Sequence, residues 1–485
     1  MSPALLWLRR DLRLADNPAL QSLLDEGRIP IPVYIHDEPA ADWPLGAASA
    51  WWLHHSLSTL QRDLQKCGSE LLVYSGDTQT ILSKLLKQSG TGRLAWNRCY
   101  EPAAIKRDAH LRQVFEQQGC EVSTHKAALL REPLEHLKKD ATPYRVFTPF
   151  WKKLHDIGPS REPVQRPAEL PAIPGRKRFK DIRIEALQLL PDIGWDKAFH
   201  DHWQPGEDGA WQALERFADE RLLDYAGNRD LPASSGTSHL SAHLHFGEIS
   251  PLQIWSWLQQ HAATVAVPGT VAASEAWLRQ IAWREFSYHL LYHFPSTPLQ
   301  PMDKRFNKFP WKKNYASDLK SWQTGQTGIP MVDAGMRELW ATGYMHNRVR
   351  MIVASCLVKN LLIPWQEGAR WFWDTLVDAD LANNTMGWQW TAGCGADAAP
   401  YFRIFNPVLQ GQKFDRAGIY IRRWIPELAK LDNRYIHQPW EADPDILADA
   451  GIILGKDYPQ PITDLQESRR AALGAWDRVK QFERG

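Results

Sequence analysis

The chain has 485 residues, 44% apolar and 23% charged, with a formal net charge of +1. Such a length favours two or more domains of an ordinary globular protein, and no apolar run reaches the roughly 18 residues of a membrane span. The near-neutral charge neither requires nor excludes a nucleic-acid partner.

The opening MSPALLWLRRDLRLADNP turns charged too early for a signal peptide, so a cytoplasmic address is expected. Five cysteines (Cys67, Cys99, Cys120, Cys356, Cys394) are scattered, odd in number and without CxxC spacing. Reduced structural thiols are expected, not a disulfide frame or a cysteine-bound metal. The count of 24 Trp exceeds what core packing needs. A buried indole wants a partner for its N–H, so many of them suggest stacking or electron transport.

Over residues 1–130 strand and helix alternate. Ala4–Arg9, Pro30–His36, Leu71–Ser75, Leu94–Tyr100 and Glu121–Ala127 read as short buried strands, with amphipathic stretches such as Ala48–Cys67 and Thr78–Gln88 between them. This rhythm predicts an α/β domain with a doubly wound parallel sheet. No GxGxxG follows the first strand, so the dinucleotide fingerprint is missing. A ligand at the carboxyl edge of the sheet would meet Arg9, Arg10, Asp11 and Glu101; caps and solvated charges fit the same residues.

Residues 131–205 are rich in Pro and basic groups and read as a long surface linker. One basic cluster lies there (Arg176, Lys177, Arg178, Lys180). A second follows later (Lys304, Arg305, Lys308, Lys312, Lys313). Each fits a solvated loop, with a basic groove as the alternative. Across 206–485 strand signals fade, and an all-α domain is predicted. Trp211–Tyr225, Pro251–His261, Ser274–His293, Pro330–Thr342, His346–Leu362, Trp365–Leu376 and Ser468–Phe482 read as its helices.

Chemistry concentrates in four segments. In GTSHLSAHLHFGEISP (236–251), Thr237, Ser238 and Ser241 precede helical sequence, where hydroxyls and free N–H groups hold a phosphate or simply cap the helix. His239, His243 and His245 lack an acidic partner at ligand spacing and are read as non-ligands, with no metal expected. On the helix at 277–295, Trp277, Gln280 and Arg284 share a face, with Trp283 beside Gln280. Indole, amide and guanidinium together suit a planar ligand with polar edges, although a half-buried surface helix fits equally. In 343–362, Asn347, Arg350 and Met351 share an otherwise apolar face while Arg348 points elsewhere. A buried arginine needs a counter-ion, and Asp378 or Asp380 of DADLANNTMGWQW (378–390) can supply it.

WLRRDLRLADNPAL, GTSHLSAHL, WREF, MHNRVRM, DADLANN with WQW, and DAAPYFRIFNP (397–407) occur in one order along the chain. With them the chain resembles the photolyase–cryptochrome family nearly end to end, and most closely bacterial DNA photolyases for cyclobutane pyrimidine dimers. The resemblance implies one FAD per chain in the helical domain. Tyr225, Thr237, Ser238, Leu240 and Ser241 would hold its phosphates and ribityl region. Trp277 and Arg284 would line the cavity, and Asn347 and Arg350 would lie near the flavin, with Arg350 paired to Asp378. Asp380 would hydrogen-bond the isoalloxazine edge, and Asn384 would face N5 and favour the reduced anionic form.

It further implies light-driven repair of UV-damaged DNA, with an electron passed from excited reduced FAD to a flipped-out dimer. Trp283 and Trp390 would sandwich the dimer, Met351 would touch its edge, and Arg229, Arg284 and Arg348 would contact phosphates. Trp388, Trp365 and Trp311 would relay electrons from the surface to oxidised flavin. Glu101, in RCYEP, matches an acid that binds an antenna pterin; methenyltetrahydrofolate is the first expectation and a deazaflavin the second. A monomer is expected.

Three features separate the branches. Repair of (6-4) photoproducts would need histidines where Asn347 and Met351 stand. The iron–sulfur branch would need clustered cysteines. The chain ends soon after its last helix, without the long tail of many signalling cryptochromes. A cryptochrome sensor or a (6-4) photolyase of the same fold is the alternative reading; a flavin protein that binds single-stranded DNA without repairing it is a third. Gln280 departs from the glutamate of many dimer photolyases. It can donate through its NH₂ but cannot supply a proton, so repair with reduced quantum yield is expected.

Overall fold

The computed structural model describes residues 1–37, 43–265, 267–398 and 402–481. Ala399, Pro400 and Tyr401 of the motif at 397–407, and Phe482 of the last expected helix, lie outside the described residues.

Among the described residues a five-stranded sheet is built from β1 (Pro3–Leu8), β2 (Ile29–His36), β3 (Leu72–Ser75), β4 (Arg93–Asn97) and β5 (Glu121–His125). The order is β3-β2-β1-β4-β5, and every pairing is parallel. β1 is buried almost throughout, which is why it reads as an apolar run and not as an alternation. β2 contains Pro30 and Pro32, which lack an N–H. They are tolerated because β2 meets β3 only from Val33 onward and has one partner before that point. Helices Pro18–Asp25, Ala47–Lys66, Thr78–Ser89 and Pro102–Gln117 connect the strands. Asn17 and Asp77 cap two of them by accepting from Leu20 and Thr80 backbone N–H groups. The sheet core includes Leu5, Trp7, Val33, Leu72, Leu94, Trp96 and Phe115, with Trp7 set edge-on to Trp96 at 5.6 Å.

The chain divides into two compact units. The first holds residues 1–194, 203–223 and 238–295; the second holds 195–202, 224–237 and 296–485. These units cut across the boundaries at 130 and 205 drawn from composition. Residues 131–205 are more than a connector: the helix Phe147–Ile157 buries Phe147, Phe150, Trp151 and Leu154. The first unit also contains helices Glu207–Glu220, Ser241–Phe246, Pro251–Thr264 and Thr270–His293.

In the second unit the main helices are Pro330–Thr342, Asn347–Ser355, Trp365–Thr375, Leu381–Ala392 and Leu465–Gln481. The expected helix 211–225 breaks at Glu220 and restarts as Tyr225–Asn228. The expected helix 346–362 ends as a π turn, Cys356–Asn360. Leu381–Ala392 was not expected as a helix. Its buried face carries Thr385, Gln389 and Thr391, while Met386 and Trp390 lie on the more open side, so apolar residues mark no 3.6-residue stripe in its sequence. No helix among the described residues is long and apolar enough to cross a membrane.

Candidate functional site

The strand order reverses between β1 and β4, where open α/β sheets form a crevice at their carboxyl edge. In the first unit that crevice is lined by Arg10, Arg98, Glu101, His245, Arg284 and Tyr288, among others. Arg9 and Asp11 do not face it as ligands. Arg9 is buried on Asp108 at 2.5 Å, and Asp11 accepts from the Arg9 backbone N–H and from Asn97, each at 2.7 Å. Glu101 immediately precedes the helix Pro102–Gln117 and is ion-paired with Arg10. Its carboxylate therefore reaches the crevice already engaged.

In the same unit the segment Ser238–Ser241 leads into the helix Ser241–Phe246. Leu240 offers no side-chain cap there, and Ser241 is exposed. His239 sits at φ +55°, a left-handed conformation that L side chains rarely adopt and that tends to persist at ligand-binding turns. His243 has an acid partner that the sequence reading overlooked. Its Nδ1 lies 2.5 Å from Glu248, which also accepts from the Trp52 indole at 3.0 Å. Among the described residues no group of His, Cys, Asp and Glu is arranged to hold a metal.

On the helix Thr270–His293, Trp277 is buried with its ring 5.3 Å from Phe217. Gln280 is half-buried. Trp283 is half-buried and stacks on Phe147 with centroids 3.5 Å apart and planes 7° from parallel. Arg284 corrects the sequence reading. It is only 8% exposed, donates to the Ala128 carbonyl at 2.9 Å and lies over the Tyr288 ring at 4.8 Å. A guanidinium so buried is a wall of the sheet crevice, not a contact for a DNA phosphate. Its neighbour Glu285 accepts from the Leu130 backbone N–H at 2.8 Å, and burial pushes its carboxyl up to about 7.

In the second unit Arg350 and Asp378 form a two-bond ion pair at 2.9 and 3.1 Å. Arg350 also donates to the Met345 carbonyl at 2.7 Å and lies over the Tyr344 ring at 5.1 Å. Burial pushes the Tyr344 hydroxyl up to about 12, against the pull of Arg350; the side chain of Thr237 bonds to it. Behind this group, Glu338 accepts from the His346 backbone N–H at 3.2 Å and from the Tyr420 hydroxyl at 2.5 Å. Burial pushes Glu338 up to about 7. Asn347 is exposed at the start of its helix, while Tyr225 is buried with Arg229 over its ring at 5.4 Å. Gly236 approaches so closely that a Cβ there would lie 2.7 Å from the Asn228 carbonyl.

Asp380 caps Leu381–Ala392, accepting from the Asn383 backbone N–H at 2.9 Å and its side-chain amide at 2.7 Å. The amide of Asn384 donates to the Ala369 carbonyl at 2.9 Å, which fixes the carboxamide's orientation. Trp390 is half-buried, donates to the Asp397 carbonyl at 3.1 Å and lies beside Phe405, centroids 6.3 Å apart. Arg348 pairs with Asp230 at 2.9 Å, lies over Phe414 and reaches the half-buried Met351 sulfur at 3.7 Å.

Trp388 and Trp365 are buried, and Trp311 is half-buried. A Cβ on Gly368, one turn along the helix that Trp365 begins, would run into the Trp388 indole. The bond from Lys312 N–H to the Leu362 carbonyl, 2.8 Å, lays the Trp311 segment beside the approach to Trp365. Gly368, Phe147 and Tyr344 were missed from the sequence. A glycine on an apolar helical face and the aromatic spacing of Tyr144, Phe147 and Phe150 were the available signals.

The donor set of the second unit fits a flavin: an oriented amide, buried carboxylates, a paired guanidinium and a close backbone approach at Gly236. The first unit, by itself, has hydroxyls at a helix start that no side chain caps. With its parallel sheet and helical remainder, the fold defines the class of two-part α/β and all-α flavoproteins.

The profile described as DNA photolyase matches residues 4–171, and that of the FAD binding domain of DNA photolyase matches 277–478. A deoxyribodipyrimidine photo-lyase of Agrobacterium fabrum is 46% identical over 99% of this chain and 98% of its own. Cryptochrome-2 of Arabidopsis thaliana is 36% identical over 99% of this chain and 79% of its own. Among solved structures, a bacterial class III photolyase from Agrobacterium tumefaciens superposes with a TM-score of 0.94, at 46% identity, over 99% of this chain and 98% of that one. The chain belongs to the DNA photolyase family and carries its FAD-binding domain.

Proposed function

We infer that this chain is a light-driven deoxyribodipyrimidine photo-lyase acting on cyclobutane dimers in UV-damaged DNA. Higher identity to a photo-lyase than to a cryptochrome supports this reading. One structural observation carries it furthest. Trp283 and Trp390 are both half-buried, each beside a phenylalanine, so each keeps indole surface for a flipped-out base.

Bound FAD supplies the light-excited electron donor. Arg350, Asp378, Asp380 and Asn384 would hold the isoalloxazine, and Tyr225, Thr237, Ser238, Leu240 and Ser241 the phosphates and ribityl chain. Asn347 and Trp277 complete the set. Gln280 would donate through its NH₂ to a dimer base, and Met351 would contact the dimer edge. Arg229 and Arg348 would meet backbone phosphates, Arg348 sharing its charge with Asp230. Trp388, Trp365 and Trp311 would return the cofactor to its reduced form. An antenna chromophore, methenyltetrahydrofolate before a deazaflavin, would use the crevice where Arg10 presents Glu101. The protein would act as a cytoplasmic monomer.

The test is dark binding by the reduced, FAD-loaded chain to an oligonucleotide with one thymine dimer. A preference of about 10³-fold or more over the undamaged strand is expected. Equal affinity would contradict the reading.

A further inference from the structure

The segment PYRVFTPFW, residues 143–151, lies in the stretch read from sequence as a linker, yet its aromatic residues are buried. Tyr144, Phe147 and Phe150 recur every third residue and are at most 8% exposed, while Arg145 and Val146 between them face solvent. The Tyr144 backbone N–H donates to His289 Nε2 at 3.0 Å, which ties this segment to the helix Thr270–His293. Phe286 of that helix stands against Phe147 at 5.9 Å and Phe150 at 5.1 Å. Phe147 therefore has little freedom, and its ring covers one face of Trp283 at 3.5 Å. An isolated aromatic pair prefers an offset or edge-on arrangement to this near-parallel one. The surroundings, not mutual attraction, hold the two rings.

We propose that Phe147 is a positioning residue that fixes the indole plane of Trp283 before the lesion arrives. This rests on the reading of Trp283 as a lesion-stacking side chain. With one face covered and rotation blocked, Trp283 loses less side-chain freedom when a base stacks on its other face.

The experiment is a double-mutant cycle on the full-length, FAD-loaded, reduced protein. Affinity for a dimer-containing and an undamaged oligonucleotide is measured in the dark, with repair per absorbed photon at saturating substrate. F147L should weaken dimer binding about 3- to 10-fold. Undamaged-DNA affinity, flavin content and repair per photon should stay unchanged. In a W283L background the same change should add less than about twofold, because the group it positions is gone. F147M, a gentler swap, should repeat the pattern if F147L folds poorly. Wild-type dimer affinity in F147L and F147M would overturn the proposal, as would an equal loss with and without Trp283. If W283L itself leaves dimer affinity unchanged, the site reading fails, and the proposal with it.

Discussion

Trp283 and Trp390 are offered to the same proposed task but are mounted differently. Trp283 lies flat on Phe147, within a cluster of rings that includes Phe286, Phe150, His289 and His136. Trp390 is held by its edge: its N–H donates to the carbonyl of Asp397, a non-glycine residue at φ +54°. The first mount is a packed surface that tolerates little change of volume. The second is one hydrogen bond aimed by a strained backbone. Similar indoles should therefore fail for different reasons when their surroundings are disturbed.

The largest expected effect comes from removing the indoles. W283A and W390A should each weaken dimer binding by about 1–3 kcal/mol, roughly 5- to 160-fold, in a dark titration. Unequal losses would show which mount carries more of the grip.

Acid should next separate the ring cluster behind Trp283 from the second unit's Arg350 helix. Burial first, then His293 and His136, pushes His289 down to about 3; burial pushes His136 down to about 4. Both stay neutral in the native state while the unfolded chain takes up protons below pH 6.5. Their contribution to stability is thus present near neutrality and is lost as pH falls toward the folded values. For His289 the loss between pH 6.5 and 5 is about 2 kcal/mol. Glu338, in the second unit beneath the Arg350 helix, has the opposite sign. Its carboxyl is raised to about 7, so its stabilisation is fullest at low pH and declines as pH rises from about 4.5 to 7. Melting curves from pH 5 to 8 should show H289Q flattening the acid side and E338Q the neutral side.

A smaller effect tests the strained turn. D397G keeps the carbonyl and removes the left-handed penalty, so dimer affinity should hold or rise. D397V should cost about 1–2 kcal/mol, read as a lower melting temperature and weaker dimer binding. The smallest effect on binding falls on Gln280. Q280E should raise repair per absorbed photon while changing dimer affinity less than about twofold; an unchanged photon yield would remove Gln280 from the chemistry.

Much of the fold was legible. All five strands appeared within a few residues of the observed ends, and the buried β1 read as an apolar run; β5, expected to be buried, is only partly covered at the sheet edge. Arg350 on an apolar face called for a counter-ion, and Asp378 stands 2.9 Å away. Other features were not legible. Leu381–Ala392 carries Thr385, Gln389 and Thr391 on its buried face and Met386 and Trp390 on the open one, so apolarity marked no stripe and it was not seen as a helix. Arg284 shares its helical face with Trp277, but the two meet different neighbours two turns apart, Ala128 and Phe217, which spacing cannot reveal. Phe147 was hidden because Pro and basic residues around it look like linker, whereas its role depends on a contact 136 residues along the chain.

Light-driven repair of pyrimidine dimers can be followed directly. The direct measurement uses reduced, FAD-loaded protein mixed with UV-irradiated oligothymidine. Blue light should restore the thymine ultraviolet absorbance with multiple turnovers, and the dark control should stay flat. A flat trace under illumination, with the cofactor reduced and the oligonucleotide bound, would contradict the account.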